Sequence, residues 1–430
     1  MKVFFFTLGC KVNQYETVIL KNLFLKQNFE IANTPEFADI FIINSCTVTS
    51  TSDRKINRLI NKIKNIKKNP IIVLTGCFPQ AFPEEKKIFE KVSIVTGNQN
   101  KFKLVDIIQK YIKNKNKIIE IEKHEKNRKF CDFKIEKIFK KPRAFIKIQD
   151  GCNRFCTYCI IPKARGFIRS KPIEKIVEET KIFCKKGCSE IVLVGINLSF
   201  FGKDLENINL VDAVKACSSI PNIKRVRLSS LEPNLLTKEQ FLSLKNEEKF
   251  CPHFHFSLQS GSDETLKRMG RHYNKNSYIE TVKYIFEIFE NPSITTDIIV
   301  GFPGETEDEF KETLDFIEKI GFSKVHIFPY SKRPGTKAAT MPNQLSKEEK
   351  KLRVKRMEEI AKKTNKIFLK NQIGKILSVL FETEKEKIYS GYSKNYCIVK
   401  VFSEENICFK IKDILITKQN EGYLEGEILK

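Results

Sequence analysis

The sequence predicts an α/β multidomain protein with an N-terminal doubly wound parallel sheet, a central partial (β/α)6 barrel and a small C-terminal all-β barrel of the oligonucleotide-binding kind. Up to residue 112, and again between residues 143 and 329, apolar runs of β type alternate with helical patterns. This order is typical of parallel sheets covered by helices. After residue 373 the apolar residues alternate with the period of a strand. The chain has 430 residues, enough for two or three domains.

The N-terminal domain is predicted over residues 1–119. Its strands are predicted at Lys2–Thr7, Ile40–Asn44, Pro70–Thr75 and Val92–Thr96, and its helices at Asn13–Gln27, Ser52–Ile66, Glu84–Glu90 and Phe102–Ile112. Strict alternation of this kind favours a sheet with helices on both faces.

Cys10, Cys46 and Cys77 directly follow the first three of these strands. The carboxyl ends of parallel strands meet at one edge of an open sheet, where such folds assemble their sites. We therefore predict that the three thiols come together and hold a 4Fe–4S cluster, with one iron left without a protein ligand. The alternative is that three partly buried cysteines follow strands by coincidence.

Residues 120–141 are charged and lack clear periodicity, which predicts a linker. The central domain is predicted over residues 142–372, with a connecting helix at its end. Six strand–helix units predict an incomplete version of the eightfold barrel. Its strands are predicted at Arg143–Ile148, Glu190–Gly195, Arg225–Ser229, His253–Leu258, Thr295–Gly301 and Lys324–Pro329, and its helices include Pro172–Lys185 and two that open with capping boxes at Thr306 and Ser346.

Cys152, Cys156 and Cys159 form a CxxxCxxC pattern after the first central strand. A cubane 4Fe–4S cluster normally takes four thiolates, so a loop with three leaves one iron open to chelate a ligand. The spacing resembles that of the radical S-adenosylmethionine (SAM) superfamily, in which the open iron binds SAM. A structural zinc site or plain core cysteines are the alternatives, although zinc loops usually contain CxxC twice.

Further candidates lie where the central strands end, because such barrels place their chemistry at the carboxyl ends of strands. Glycine lets the backbone approach a cofactor, and carboxylates or amides can bind its amino group or ribose. On this basis we predict that SAM contacts Gly195, Asn197, Ser230, Glu232, Gln259 and Gly301. Each of these residues also has a simpler interpretation as a turn or packing residue.

The C-terminal domain is predicted over residues 373–430, with five short strands that favour a small barrel. They are predicted at Ile376–Phe381, Tyr396–Phe402, Ile407–Ile411, Ile414–Thr417 and Gly422–Ile428.

The net charge of +25 favours a polyanionic partner, most often nucleic acid. A composition rich in Lys, Asn, Ile and Phe is the alternative explanation, because AT-rich coding raises the lysine content without any function. The excess is not uniform, since residues 371–430 carry nine basic and nine acidic side chains. Any RNA contact is therefore expected on the first two domains as well as on the tail.

The cellular location is predicted from what the sequence contains. No apolar run approaches the ~20 residues that span a bilayer, and the apolar N-terminus lacks a cleavage site and is interpreted as a strand. Thirteen cysteines without a secretory signal favour a reducing compartment. These features predict a cytoplasmic protein that does not bind a membrane.

Seven short motifs are spread along the chain: TLGCKVNQYE at residues 7–16, NSCTV at 44–48, TGC at 75–77, DGC at 150–152, IIPKARG at 160–166, SLQSG at 257–261 and GFPGET at 301–306. Together they resemble those of the radical SAM methylthiotransferases, in the family's three-part order. In that family the central domain is the radical SAM barrel and the tail is a TRAM-like RNA-binding domain.

The resemblance implies a specific chemistry. The cluster on Cys152, Cys156 and Cys159 would bind SAM, whose reductive cleavage gives a 5′-deoxyadenosyl radical that takes hydrogen from C2 of an adenine. The second cluster, on Cys10, Cys46 and Cys77, would supply the sulfur, methylated from another SAM. An electron donor such as flavodoxin or ferredoxin, and a sulfur source, are implied as partners.

The opening motif GCKVNQYE is most like the branch that modifies N6-threonylcarbamoyladenosine 3′ of the anticodon, which implies the tRNA anticodon stem-loop as substrate. Sibling branches act on isopentenyladenosine in tRNA or on a ribosomal protein aspartate, and both stay alternatives. A threonylcarbamoyl group carries a carboxylate, so a cation such as Lys11 or Arg165 would suit it. The alternative for Lys11 is an exposed lysine with no such role. From a different class, a non-catalytic, zinc-stabilised RNA-binding protein also stays open.

Overall fold

The computed structural model describes residues 1–126, 128–133 and 141–429, so part of the predicted linker lies outside the described residues. The described chain forms two compact units. The first contains the N-terminal sheet, Gln149–Lys171 and Ser331–Ala339, and the second contains Pro172–Tyr330, the chain from Thr340 onward and the strand that begins at Arg143. The CxxxCxxC loop therefore belongs to the first unit, while the domain boundaries at residues 119, 141 and 372 stay predictions.

Within residues 1–126, six strands form one parallel sheet in the order β2-β1-β3-β4-β5-β6. The strands are β1 (Lys2–Thr7), β2 (Glu30–Ile31), β3 (Ile40–Ser45), β4 (Ile71–Gly76), β5 (Ile94–Thr96) and β6 (Ile118–Glu120). The helices are α1 (Lys11–Lys26), α2 (Ser50–Ile66), α3 (Cys77–Ala81), α4 (Lys86–Phe89) and α5 (Leu104–Asn114).

Apolar side chains on both faces of this sheet are covered by helices. Phe41 and Ile43 pack in one core with α2, whereas Ile40 and Ile42 pack in a second core with α1 and α5. This explains why β3 is a continuous apolar run rather than an alternating one. The predicted doubly wound parallel sheet is confirmed. The strands β2 and β6 were not predicted, because two or three residues are too few to show a periodicity.

The described part of the predicted linker belongs to the first unit, and its first residue, Glu120, ends β6. Glu122 accepts hydrogen bonds from Asn100 and Lys103, at 2.9 and 3.1 Å. The His124 ring lies 2.9 Å from the carbonyl oxygen of Lys163.

Nine strands follow in the central part of the chain: β7 (Arg143–Lys147), β8 (Gln149–Asp150), β9 (Arg169–Ser170), β10 (Glu190–Val194), β11 (Arg225–Leu228), β12 (Ser230–Leu231), β13 (His253–Phe256), β14 (Ser293–Val300) and β15 (Lys324–Pro329). The helices among them are α6 (Ile161–Arg165), α7 (Ile173–Lys185), α8 (Leu210–Ser218), α9 (Lys238–Lys245), α10 (Asp263–Met269), α11 (Lys275–Ile288) and α12 (Glu307–Ile320). The short antiparallel pair β8–β9 and α6 belong to the first unit.

The other central strands are parallel and neighbour one another in chain order. They form the sheets β11-β10-β7 and β12-β13-β14-β15, and a bridge between Val226 and Phe250 continues from the first sheet toward the second. This order is the one a (β/α) barrel requires, so the predicted central architecture is confirmed. The capping box at Thr306 is also confirmed, because its side chain accepts from the Glu309 amide.

The tail forms a closed five-stranded barrel over residues 376–428, in the order β16-β17-β18-β20-β19. Its strands are β16 (Ile376–Lys385), β17 (Ile388–Ser393), β18 (Ile398–Phe402), β19 (Ile411–Asn420) and β20 (Tyr423–Ile428), and the capped helix α13 (Lys347–Lys370) precedes it. The predicted all-β barrel is confirmed, with two changes in its strands. The segment 407–410 is not a strand, and β17 was not predicted.

A buried carboxylate gathers three arginines at the amino ends of β7, β10 and β11. Glu190 is 1% exposed at its side chain and lies 2.9 Å from Arg227, 3.7 Å from Arg225 and 3.8 Å from Arg143. Burial alone would raise the pKa of Glu190, but these guanidinium groups, Arg227 foremost, hold that pKa below its usual range.

The same arginines hold the tail barrel against the central strands. Arg225 donates to the carbonyl oxygen of Tyr392 at 2.9 Å. Arg227 donates to the carbonyl oxygens of Ser393 at 3.1 Å and Lys394 at 2.8 Å. The end of β17 and the turn that follows it therefore cap the amino ends of these central strands.

Candidate active site

The three N-terminal cysteines lie at the carboxyl edge of the first sheet, as predicted from their positions after strands. Cys10 immediately precedes α1, Cys46 follows β3, and Cys77 is the first residue of α3 after β4. Cys46 and Cys77 are buried, whereas Cys10 is exposed. The strands β1, β3 and β4 are hydrogen-bonded neighbours, which is why the loops that follow them share one edge.

Electrostatic interactions show that these thiols are close enough to influence one another. Burial and the neighbouring Cys77 raise the pKa of Cys46 to about 11. Cys10 is accessible to solvent although protein surrounds its thiol, and this desolvation raises its pKa, with Arg165 acting against the shift and Cys77 adding to it.

Glycines allow the loops to approach so closely. Gly9 has φ +100°, and a Cβ placed on it would lie 2.6 Å from Cβ and 2.9 Å from Sγ of Cys46. Gly76 has φ +105°, and its Cβ would lie 2.6 Å from the carbonyl oxygen of Ser45. Gly9 precedes Cys10 and Gly76 precedes Cys77. At both positions glycine is required because φ is positive and because a side chain would not fit.

Buried amides and a hydroxyl fix the loops around the thiols. Asn13 donates to the carbonyl oxygens of Leu8 at 2.7 Å and Ser45 at 3.0 Å. Asn44 donates to the carbonyl oxygen of Asn13 at 3.0 Å, and the Ser45 hydroxyl donates to that of Thr75 at 2.6 Å. These residues come from three different strand–loop connections, so the network sets their relative positions.

Arg165, from the helix that follows the CxxxCxxC loop, reaches the same edge. Its guanidinium bonds Glu16 at 2.5 Å, Asn13 at 2.5 Å and the sulfur of Cys77 at 3.3 Å. Desolvation opposes the charge of Arg165, but Cys77, Glu16 and Asp150 keep its pKa well above the usual range. The hypothesis that Arg165 binds a substrate carboxylate is wrong, because these buried partners already occupy its donors.

The CxxxCxxC loop is fixed at both ends. The amide of Cys152 donates to the carbonyl oxygen of Gly166, and that of Cys159 to the carbonyl oxygen of Cys156, both at 3.0 Å. Gly151 has φ +71°, and a Cβ there would lie 1.9 Å from the carbonyl oxygen of Phe167. Cys156 is buried, while Cys152 and Cys159 are partly exposed.

Both triads fit a 4Fe–4S cluster by their donor chemistry. Each offers three cysteines on loops whose glycines bring backbone and thiol together, and each leaves one iron for another ligand. Among the described residues, no group of three or more His, Cys, Asp or Glu side chains is arranged to hold a single metal ion. Thiols that bind different corners of a cubane need no such arrangement.

Two of the predicted SAM-binding residues come together in the second unit. The amide of Asn197 donates to the carboxylate of Glu232 at 2.9 Å. Ser199 ties the same loop to Glu232, whose amide donates to its hydroxyl at 2.8 Å. A buried carboxylate with an amide beside it is suited to an ammonium or a ribose.

The other predicted SAM-binding residues lie at or past strand ends, with different surroundings. Gly195 follows β10 and Ser230 begins β12. Gln259 has φ +71° and pairs with Ile298 of β14. The amide of Gly301 donates to Glu305 at 2.6 Å. A structural role is thus visible for Gly301, and the roles of all four toward SAM stay predictions.

Sequence reasoning missed the buried charges around the first triad. Lys101 is fully buried and lies 2.5 Å from Glu16. Lys101 and Glu16 are separated by 85 residues, and Arg165 and Glu16 by 149. Such pairs follow no local period. Glu16 and Arg165 both lie in motifs that resemble those of the family, but nothing in the sequence indicated that the two side chains form an ion pair.

The fold and the CxxxCxxC loop together define a radical SAM enzyme. Residues 146–317 match the model of the radical SAM superfamily, and residues 2–97 match that of uncharacterized protein family UPF0004. A TsrM structure from Kitasatospora setae, a radical SAM methyltransferase with cobalamin and a 4Fe–4S cluster bound, has a TM-score of 0.59 at 12% identity and covers 79% of this chain and 74% of its own. At that identity the likeness shows the fold alone.

Curated relatives are similar over nearly the whole chain. The threonylcarbamoyladenosine tRNA methylthiotransferase MtaB of Aquifex aeolicus (strain VF5) is 39% identical, covering 91% of this chain and 95% of its own. MtaB of Bacillus subtilis (strain 168) is 36% identical, covering 100% of this chain and 96% of its own. The tRNA-2-methylthio-N(6)-dimethylallyladenosine synthase of Acetivibrio thermocellus is 31% identical, covering 99% of this chain and 90% of its own. The chain belongs to the radical SAM methylthiotransferase family.

Proposed function

We propose that this enzyme converts N6-threonylcarbamoyladenosine, 3′ of the anticodon of tRNA, to its 2-methylthio derivative. The observation that carries the proposal is the pair of cysteine triads, Cys10/Cys46/Cys77 and Cys152/Cys156/Cys159, in a chain 36–41% identical to enzymes named for that reaction. The first triad would hold a cluster that supplies the sulfur, and the second would hold a cluster that supplies the chemistry of SAM cleavage.

Cys152, Cys156 and Cys159 would hold the first cluster, which supplies the electron that cleaves SAM. The protein's own contribution is placement. The bonds of Cys152 to Gly166 and of Cys159 to Cys156 fix the loop. We propose that Asn197 and Glu232 bind polar groups of SAM, with Gly195, Ser230, Gln259 and Gly301 shaping its surroundings.

Cys10, Cys46 and Cys77 would hold the second cluster, which supplies the sulfur. Here the chain provides three loops at the sheet edge, which Gly9 and Gly76 allow to approach closely and which Asn13 helps to fix. Raised thiol pKa values in the free protein mean that cluster binding must displace protons, so loading should be favoured at higher pH.

The substrate side of the proposal rests on charge and accessibility. We propose domain boundaries at residues 119 and 372. The first two domains carry the surplus of basic side chains, which is suited to a phosphate backbone. The barrel from residue 373 is suited to bases that are not paired. The target adenine must leave its stack to react, which costs little in an anticodon loop.

The partners follow from the chemistry. An electron donor such as flavodoxin or ferredoxin and a sulfur source are required, and we propose that the enzyme works in the cytoplasm, where tRNA is. Among the described residues, none of the helices combines the length and apolar character needed to cross a bilayer.

The test uses one anaerobic preparation and three substrates: tRNA bearing threonylcarbamoyladenosine, tRNA bearing isopentenyladenosine, and the ribosomal protein with its aspartate. Mass analysis of nucleosides and peptides should find the methylthio group on the first substrate. The isopentenyl tRNA is the second candidate, because relatives named for it are 31–34% identical. Turnover of that tRNA with none of the first would overturn the substrate while leaving the chemistry intact.

A further inference from the structure

Cys77 differs from the other two cysteines of its triad in what contacts its sulfur. We propose that Arg165, assisted by Asn98, sets the reduction potential of the N-terminal cluster by hydrogen bonding to the Cys77 sulfur. This inference rests on the proposed function in one respect, namely that the triad holds a cluster.

The sulfur of Cys77 has two nitrogen donors. Nε of Arg165 lies 3.3 Å from it and the side-chain nitrogen of Asn98 lies 3.6 Å from it, both within the range of hydrogen bonds to sulfur. The same nitrogen of Asn98 also donates to the carbonyl oxygen of Ala164 at 2.6 Å, next to Arg165 in sequence. That bond fixes which end of the amide faces Cys77, because the reversed amide would place two oxygens together.

Arg165 cannot turn away from the sulfur without breaking other bonds. Its side chain is 1% exposed, and its terminal nitrogens bond Glu16 at 2.5 and 3.1 Å and Asn13 at 2.5 Å. Lys101 donates to the same carboxylate of Glu16, at 2.5 Å from its Oε2. The two terminal nitrogens of the Arg165 guanidinium are thus held by Glu16 and Asn13, and its Nε–H donates to the sulfur of Cys77.

The physical effect on a bound cluster has a definite sign. Reduction adds negative charge, part of which resides on the ligating sulfurs. A guanidinium and an amide that donate to one of those sulfurs favour the reduced form, and hydrogen bonds to sulfur and net charge are among the factors that set such potentials. In a buried site this charge acts with little screening.

The position of Arg165 also connects the two triads. It lies six residues beyond Cys159, and the next residue, Gly166, accepts the hydrogen bond of the Cys152 amide. The short segment that fixes the SAM-cleaving loop therefore also contributes the charge on the sulfur-delivering one. Arg165 is a positioning and tuning residue in this scheme, not a residue that touches substrate.

The experiment measures a potential rather than activity. In full-length protein with Cys152, Cys156 and Cys159 replaced by Ala, so that the N-terminal cluster alone remains, the midpoint potential is read by EPR during a redox titration. Arg165→Met should shift it to a lower potential, Arg165→Lys by a smaller amount, and Asn98→Ala by a small amount in the same direction. Arg333→Lys is the matched control, because this buried arginine of the same unit bonds Asp53 and Thr47 instead of a cysteine.

The outcomes separate the inference from the proposed function. Asn98→Ala leaves the ion pairs of Arg165 in place, so it tests the bond to sulfur even if an Arg165 variant folds poorly. Unchanged potentials in Arg165→Met and Asn98→Ala, with iron retained, would overturn the inference while leaving the proposed function intact. Absence of iron from the N-terminal triad of the otherwise unaltered protein would overturn both.

Discussion

The cysteines of this chain differ most in their surroundings. Cys188, Cys217 and Cys397 are buried, and burial raises the pKa of each thiol to about 12. Such thiols are inert at neutral pH. Cys152 and Cys159, by contrast, are partly exposed. Exposure does not separate the two groups, because the candidate ligands Cys46, Cys77 and Cys156 are also buried. Motif spacing and position after a strand are what distinguish the candidate cluster ligands.

The two triads should have separable roles. Cys156→Ala should abolish SAM cleavage, because no cluster then delivers the electron. Cys46→Ala should leave cleavage detectable but abolish methylthiolation, and each variant should keep about half of the roughly eight irons that two clusters contain. Iron content, 5′-deoxyadenosine and methylthio-nucleoside are measured on the same samples.

Cys408→Ala, in the tail, serves as the control for these variants and should change none of the three measurements. Full product from Cys46→Ala would show that the N-terminal triad does not deliver sulfur.

At the scale of single residues, the sequence predicted where the cysteines lie better than it predicted which side chains form ion pairs. Cys10, Cys46 and Cys77 could be placed together because strand ends of one sheet converge, which is a rule of topology. The pairing of Lys101 with Glu16 follows no such rule, because it depends on two side chains in different loops reaching the same buried point.

Among elements, strand length and glycine content decided what could be predicted. β17 escaped prediction because Ser390 and Gly391 weaken its β pattern. A Cβ at Gly391 would lie 2.2 Å from the carbonyl oxygen of Leu380, so the glycine is needed for close strand packing. The predicted strand at 407–411 fails because residues 408–410 turn, with Phe409 at φ +66°, before β19 begins.

The loop after β1 provides a test of the sheet-edge site. Gly9→Ala should reduce the iron content by about half, since the added methyl would meet Cys46 and displace one corner of the N-terminal site. SAM cleavage should persist. Iron analysis and 5′-deoxyadenosine formation are the measurements.

Gly321→Ala is the matched control for Gly9→Ala. Gly321 also has positive φ, at +71°, but nothing lies within 4 Å of an added Cβ. Its substitution should cost about 1 kcal/mol of stability through backbone strain and leave the iron content unchanged. Equal iron loss in both variants would mean that backbone strain, and not contact with Cys46, is responsible.

At the scale of the whole molecule, the tail barrel is part of the second unit's buried structure. Arg225 and Arg227, which the tail caps, are each 1% exposed. Deleting residues 373–430 to test RNA binding would therefore uncover buried charges, and a loss of function would report misfolding. Substitutions on the exposed surface of the barrel are the sounder test.

The buried charge cluster should be costly to break. Glu190→Gln should destabilise the second unit by about 3–5 kcal/mol, because three arginines would keep their charges and lose this carboxylate, and only Arg143 has a second one, Glu382 at 3.0 Å, among the described ion pairs. Anaerobic urea unfolding monitored by circular dichroism measures this. Glu239→Gln, an exposed glutamate on α9, should change stability little. A neutral effect of Glu190→Gln would mean that Glu382 and the tail carbonyls satisfy the arginines.

An exposed aromatic on the tail barrel is the place to test RNA binding. Phe402 is 62% exposed on β18 and pairs with the exposed Ile388. If it stacks on a base, Phe402→Ala should weaken tRNA binding by about 1–3 kcal/mol. Because the tail is electrically neutral, the salt dependence of binding should not change, since that slope counts phosphate contacts.

Binding curves at several salt concentrations measure both quantities, with Leu242→Ala, an apolar residue 43% exposed on α9, as the control. A weaker salt dependence in Phe402→Ala would indicate that the substitution disturbs nearby phosphate contacts instead of removing a stack.

The end of β17 and the turn that follows it offer the central arginines backbone carbonyls, at Tyr392, Ser393 and Lys394. A carbonyl is the same in every residue type, so selection on these contacts preserves the number of residues in the turn more strictly than the side chain at Lys394, whose own bond is to the carbonyl oxygen of Glu248 at 2.8 Å. Most exposed turns, by contrast, tolerate insertions and so vary in length. In the evolutionary record of this family, length changes here should be rarer than substitutions at Lys394, and a tail exchanged between relatives should function only if the turn keeps its length.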